Sequence, residues 1–114
     1  ELFFQRAVTR ASAFDNEDLT RMAAAIAQPG AMRAMLNWYR AALQFSGTMP
    51  PRRIEVPTLL LWGEDDVALG KALTFNLTEW VPKIQVRYIL NCGHWVQNEA
   101  PDEVNAYLKA FLQA

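Results

Sequence analysis

The sequence predicts an α/β fold with a parallel sheet that is incomplete within these 114 residues, preceded by a helical segment. Three observations carry this reading. Residues 1–49 show helical periodicity, whereas residues 50–114 run strand, turn, helix, strand, turn, helix, an order that implies parallel strands with crossover helices. Leu59-Leu60-Leu61-Trp62 is a short, unbroken apolar run, as expected of a strand buried on both faces. Two strands cannot form a stable sheet of that kind, so the remaining strands are expected elsewhere.

The elements follow in order. Asp15-Asn16-Glu17-Asp18 is a helix start: a polar cap, then acids suited to the positive end of the helix dipole. The helix is expected over Glu17 to about Gln28, with Leu19, Met22, Ala23 and Ile26 on one face, and Gln28-Pro29-Gly30 ends it. A second helix is predicted from about Ala31 to Leu43, with Met32, Met35, Leu36, Tyr39 and Leu43 as its apolar face. The boundary lies at Gly47-Thr48-Met49-Pro50-Pro51, where paired prolines stop any helix. Pro57 fits the first residue of the strand that ends at Gly63-Glu64-Asp65-Asp66. A helix is predicted over Gly70–Trp80, closed by Pro82, and a second strand over Ile84–Leu90. A last helix opens at Pro101 or Asp102 and runs to Leu112, burying Val104, Leu108, Phe111 and Leu112. Phe75, Trp80, Tyr107 and Phe111 read as packing residues, as does Trp62 at the end of its strand. Arg52-Arg53 reads as a solvated pair.

Composition narrows the function classes. Eleven basic against twelve acidic residues give a net charge of −1, with no electrostatic reason to expect nucleic acid or an anionic membrane as partner. At 52% hydrophobic the chain is too apolar for disorder. The longest uninterrupted apolar run, Met22–Ala27, is far short of the ~20 residues of a membrane span. One cysteine forms no internal disulfide framework, and Cys92 with His94 is too little for a zinc site. The start Glu1-Leu2-Phe3-Phe4 has no Met and no signal features, so the chain reads as part of a longer, cytoplasmic protein.

Two loops carry groups capable of chemistry. Both follow a predicted strand at its C-terminal end, where open parallel sheets place their ligands. One holds Glu64-Asp65-Asp66; the other holds His94, the only histidine. An acid and a histidine meeting there suggest the orienting half of a nucleophile–His–acid triad, with the acid fixing the imidazole tautomer. Glu64 and Asp65 compete with Asp66 for that role. Cys92 is better read as a small buried hydrophobe than as a nucleophile, being two residues from His94.

These segments resemble the C-terminal part of an α/β-hydrolase: Pro57 to Asp66, then Asn91-Cys92-Gly93-His94-Trp95, then Asn98-Glu99-Ala100-Pro101. In that family a buried strand is followed by Gly-x-x-Asp, then Gly-His, then Glu-x-Pro opening the last helix. The order of acid before histidine also matches. Leu36-Asn37-Trp38-Tyr39-Arg40 resembles the cap segment of epoxide hydrolases. The resemblance implies that residues 1–49 are late cap helices and that residues 50–114 are the C-terminal part of the hydrolase core. It implies Asp66 and His94 as triad members, Tyr39 as the group that hydrogen-bonds the epoxide oxygen, and Trp38 and Trp95 beside the substrate. The expected reaction opens a small apolar epoxide to a vicinal diol through an aspartyl ester, with no metal and no organic cofactor. The aspartate nucleophile is expected from an N-terminal half of the same fold, in the same protein or a separate chain, so that this chain alone is inactive. A haloalkane or fluoroacetate dehalogenase, or an esterase, is the alternative within the fold. From another class, the alternative is a non-catalytic fragment that pairs through its exposed sheet edge with a partner, or with a second copy as a homodimer.

Overall fold

The computed structural model describes residues 8–45 and 52–113. The proline boundary at Gly47–Pro51 lies outside the described residues. The chain divides into two compact units: one spans Phe14–Arg52, and the other joins the residues up to Ala13 to those from Arg53 onward.

In the first unit, α1 (Asn16–Ile26) and α2 (Ala31–Phe45) are joined by a turn at Gly30, whose φ of +84° is open to glycine without strain. α1 begins where the acids predict. The Asp15 carboxylate accepts the Asp18 amide at 2.8 Å, and Asp18 returns the bond from the Asp15 amide at 3.2 Å, closing a capping box. Arg21 pairs with Glu17 and Asp18 on the adjoining turn. Met22 and Ile26 are half-buried, but Met32, Met35, Leu36, Tyr39 and Leu43 of α2 are exposed.

In the second unit, β1 (Thr58–Gly63) and β2 (Ile84–Ile89) pair in parallel, from Thr58 opposite Ile84 to Gly63 opposite Ile89. Pro57 stands just before β1, where its missing N–H interrupts no ladder bond. The short helix α3 (Val96–Glu99) follows the His94 loop. Pro101 then opens α4 (Pro101–Leu112) at its first turn. The core gathers Ile89, Cys92, Ala100 and Val104, with Leu61, Val96 and Tyr107 packed against it. Burying a side chain such as Ile89 stabilises the unit by about 2–3 kcal/mol. No helix among the described residues is long and apolar enough to cross a membrane.

Three expectations are corrected. The helix predicted over Gly70–Trp80 is two 3-10 turns, Lys71–Thr74 and Leu77–Glu79. Phe75 is extended and Asn76 sits in the left-handed region at φ 57°, a conformation asparagine tolerates and helix propagation does not. Thr74 also turns inward, its hydroxyl within 2.6 Å of the Tyr88 hydroxyl, which fixes the crossover to β2. Second, Phe75, Trp80, Leu108 and Leu112 are exposed rather than packed. The broken crossover turns Phe75 and Trp80 outward, and α4 meets the core through Val104 and Tyr107 instead. Third, residues 8–13 go with the sheet rather than with the helices, because the Thr9 and Arg10 amides bond to Glu99.

Candidate active site

The ends of β1 and β2 bring Asp66 and His94 together. The parallel register continues past the strands: the Glu64 amide donates to the Ile89 carbonyl at 3.0 Å, and the Asp65 amide to that of Cys92 at 3.0 Å. The two loops therefore cross at Gly63. A Cβ there would lie 2.1 Å from the Gly93 carbonyl oxygen and 2.4 Å from that of Cys92, closer than any side chain can approach. Glycine at position 63 is what permits the crossing.

Asp66 divides its two oxygens. Oδ1 accepts the amides of Ala68 at 2.8 Å and Leu69 at 2.9 Å, holding the turn, while Oδ2 faces His94 Nδ1 at 2.9 Å. A carboxylate can only accept, so Nδ1 carries the proton and Nε2 is left as the acceptor nitrogen. Nε2 meets no partner among the described residues. The Asp66 side chain is 7% exposed and that of His94 31%, so the acid is shielded while the ring keeps an open edge. Burial pushes the Asp66 carboxyl upward. The bond from His94, the amides of Leu69 and Ala68, and the charge of a protonated imidazole together outweigh it and hold the group below its ordinary value.

The sign of the pH dependence follows. A carboxyl with a depressed folded-state pKa adds stability that is present above its unfolded value, near 4, and is lost as pH falls through the folded value. Thermal melts of the parent and of Asp66→Asn are therefore expected to differ near neutrality and to converge as pH falls below about 4. A gap that holds constant down to pH 3 would count against this assignment.

Of the competing acids, Glu64 is engaged by Lys71, whose ammonium also lies 4.0 Å from the Tyr88 ring centroid, and Asp65 is exposed. Trp95 stands edge-on to His94, with centroids 5.5 Å apart and planes at 84°. Cys92 is fully buried. Desolvation, then the negative charge of Glu99, pushes its thiol up to about 11, which leaves it poorly suited as a nucleophile. Tyr39 and Trp38 lie in the helical unit, 67% and 73% exposed, with their rings in edge contact at 6.0 Å.

Two residues at this site escape the sequence reading. Glu99, noted only as part of the Glu-x-Pro helix opening, is 5% exposed and accepts four backbone amides. Arg10 reaches the carbonyls of Leu90, Asn91 and Glu99, and the Glu103 carboxylate. An acid two residues before a proline is a local signal that Glu99 could have offered. Arg10 bonds to residues 80 to 93 positions away, and no local pattern marks it.

No protein-family model matches the sequence. The chain is 34% identical over 104 residues to the AB hydrolase superfamily protein YfhM of Bacillus subtilis, covering 91% of this chain and 36% of that protein. It is 38% identical over 84 residues to mouse bifunctional epoxide hydrolase 2, covering 71% and 15%. The chain thus spans about a third or less of the curated relatives it matches. Among solved structures, a metagenomic epoxide hydrolase from hot environments aligns over 90% of this chain and 39% of its own, with a TM-score of 0.77 and 33% identity. A variant of an epoxide hydrolase from Bacillus megaterium aligns over the same shares with a TM-score of 0.79 and 22% identity, a likeness of fold.

Proposed function

For a chain that carries the C-terminal part of an α/β-hydrolase fold similar to that of epoxide hydrolases, we propose that it supplies the acid–histidine half of a hydrolytic site that opens small apolar epoxides to vicinal diols. The contact between Asp66 Oδ2 and His94 Nδ1, formed beyond the ends of two parallel strands, carries this reading.

The reaction has two stages. A carboxylate from outside these 114 residues attacks an epoxide carbon. A new C–O ester bond forms, the ring C–O bond breaks, and its electron pair passes to the departing oxygen. Tyr39 donates a proton or a hydrogen bond to that alkoxide, which is a poor leaving group without one. His94 Nε2 then takes a proton from water, and the resulting hydroxide adds to the ester carbonyl. Collapse expels the diol oxygen, which takes the proton from the imidazolium, and the proton left on the carboxyl passes to the Tyr39 oxygen, or to the alkoxide where Tyr39 gave only a hydrogen bond, so that diol, carboxylate, neutral His94 and Tyr39 are all restored. Asp66 holds the tautomer that leaves Nε2 basic and stabilises the imidazolium that forms. No step calls for a metal or an organic cofactor.

The test is diol formation by the full-length protein from a panel of small apolar epoxides, run beside haloalkanes, fluoroacetate and simple esters. Epoxide turnover is expected, and Tyr39→Phe is expected to slow its ester-forming stage by about 100-fold while leaving ester hydrolysis unchanged. Turnover of halides or esters alone would move the protein to the dehalogenase or esterase branch of the fold. Full epoxide turnover by Tyr39→Phe would remove Tyr39 from the mechanism.

A further inference from the structure

We infer that Glu99, with Arg10, is a positioning residue for His94. The argument rests on the proposed two-stage hydrolysis. The His94 ring has one hydrogen bond among the described residues, to Asp66, and it keeps an open edge. Its placement therefore depends on its backbone. The peptide amides on either side of His94 are both held by one buried carboxylate: Gly93 donates to Glu99 Oε2 at 3.1 Å, and Trp95 to Oε1 at 3.3 Å. Oε2 also accepts the Thr9 and Arg10 amides, each at 2.8 Å, which pins Glu99 from the far side.

Arg10 holds the start of the same loop. Its Nη2 donates to the Leu90 carbonyl and its Nε to the Asn91 carbonyl, each at 3.0 Å. Asn91 turns the chain at φ 50°, in the left-handed region that asparagine tolerates, so the Arg10 bonds fall on the turn that opens the loop. The loop from Leu90 to Trp95 is thus gripped by its carbonyls at one end and by its amides at the other. Four charge-assisted bonds also explain why a carboxylate only 5% exposed is tolerated at Glu99. Its function is to hold the imidazole where Nε2 can meet the attacking water, a placement in which an error of about 1 Å costs about 100-fold in rate.

Glu99→Gln tests this in the full-length protein. Glutamine keeps the shape but offers one acceptor oxygen. If that oxygen serves the three amides on the Oε2 side, an NH₂ faces the Trp95 amide, donor against donor. Rapid-quench kinetics with intact-mass detection of the covalent ester separate the two stages. Ester hydrolysis is expected to slow by about 10- to 100-fold, ester formation to change by less than about threefold, and the adduct to accumulate. A purely structural role would lower the melting temperature and the active fraction, leaving both single-turnover rate constants intact. That result overturns the inference, as does slowing of both stages in equal proportion. If Glu99→Gln does not fold, Arg10→Lys carries the test. Lysine cannot hold both loop carbonyls, and about tenfold slower hydrolysis is expected, with unchanged hydrolysis overturning the inference. Failure of the underlying function looks different: neither the parent protein nor His94→Gln would ever form an adduct with an epoxide, and the positioning role would fall with it.

Discussion

His94→Gln is expected to lower steady-state epoxide turnover by about 10⁴-fold while the protein still reacts once. The two stages need different groups. In the proposed mechanism, ester formation uses the carboxylate nucleophile and the Tyr39 donor, whereas ester hydrolysis uses a base, and His94 is the only histidine these loops provide. Glutamine fills a similar volume and can accept a bond from water, but it cannot take the proton. The substrate should therefore remain attached, visible as a stoichiometric mass increase equal to the epoxide. Asp66→Asn should act in the same stage through the tautomer, since an amide can present N–H to Nδ1 and reverse the ring's polarity. Full turnover by His94→Gln would exclude His94 as the base.

Gly63→Ala is expected to lower stability and turnover together without removing any functional group. The added methyl would collide with two main-chain carbonyl oxygens, those of Gly93 at 2.1 Å and Cys92 at 2.4 Å. Main chain cannot swing aside as a long side chain can. One of the two loops must move, and Asp66 and His94 ride on one loop each. Urea unfolding should show a loss of about 3 kcal/mol, the upper part of the usual cost of overpacking. Turnover by the protein that remains folded should fall by about 100-fold, as the 2.9 Å acid–histidine contact opens. Parent-like stability in Gly63→Ala would mean that the loops do not approach this closely.

Much of this arrangement was legible in the residues. The unbroken run Leu59–Trp62 and the alternating Ile84–Ile89 became paired parallel strands. Asp15 and Asp18 capped the helix they were expected to start. Placing Asp66 and His94 in loops beyond those strands needed only the rule that parallel strands share an edge. The crossover failed as a helix because periodicity is blind to a single left-handed residue, and Asn76 was enough to break it. The exposed faces of α2 and α4 show a second limit. An apolar stripe reports that a surface is suited to burial, but not which neighbour covers it. The grip of Arg10 on the histidine loop was illegible for a simpler reason: a guanidinium that spans 80 to 93 positions leaves no spacing to read.

The buried thiol at Cys92 has a consequence for self-inactivation. Epoxides are alkylating agents, and a protein that concentrates them beside its own nucleophiles risks modifying itself. Cys92 is two residues from His94, yet it is fully covered. Desolvation pushes its thiol up to about 11, so the reactive thiolate is strongly disfavoured at neutral pH. Desolvation and the neighbouring Glu99 carboxylate thus disfavour the thiolate of the loop's one thiol, which under the proposed epoxide chemistry would limit alkylation beside the reacting groups.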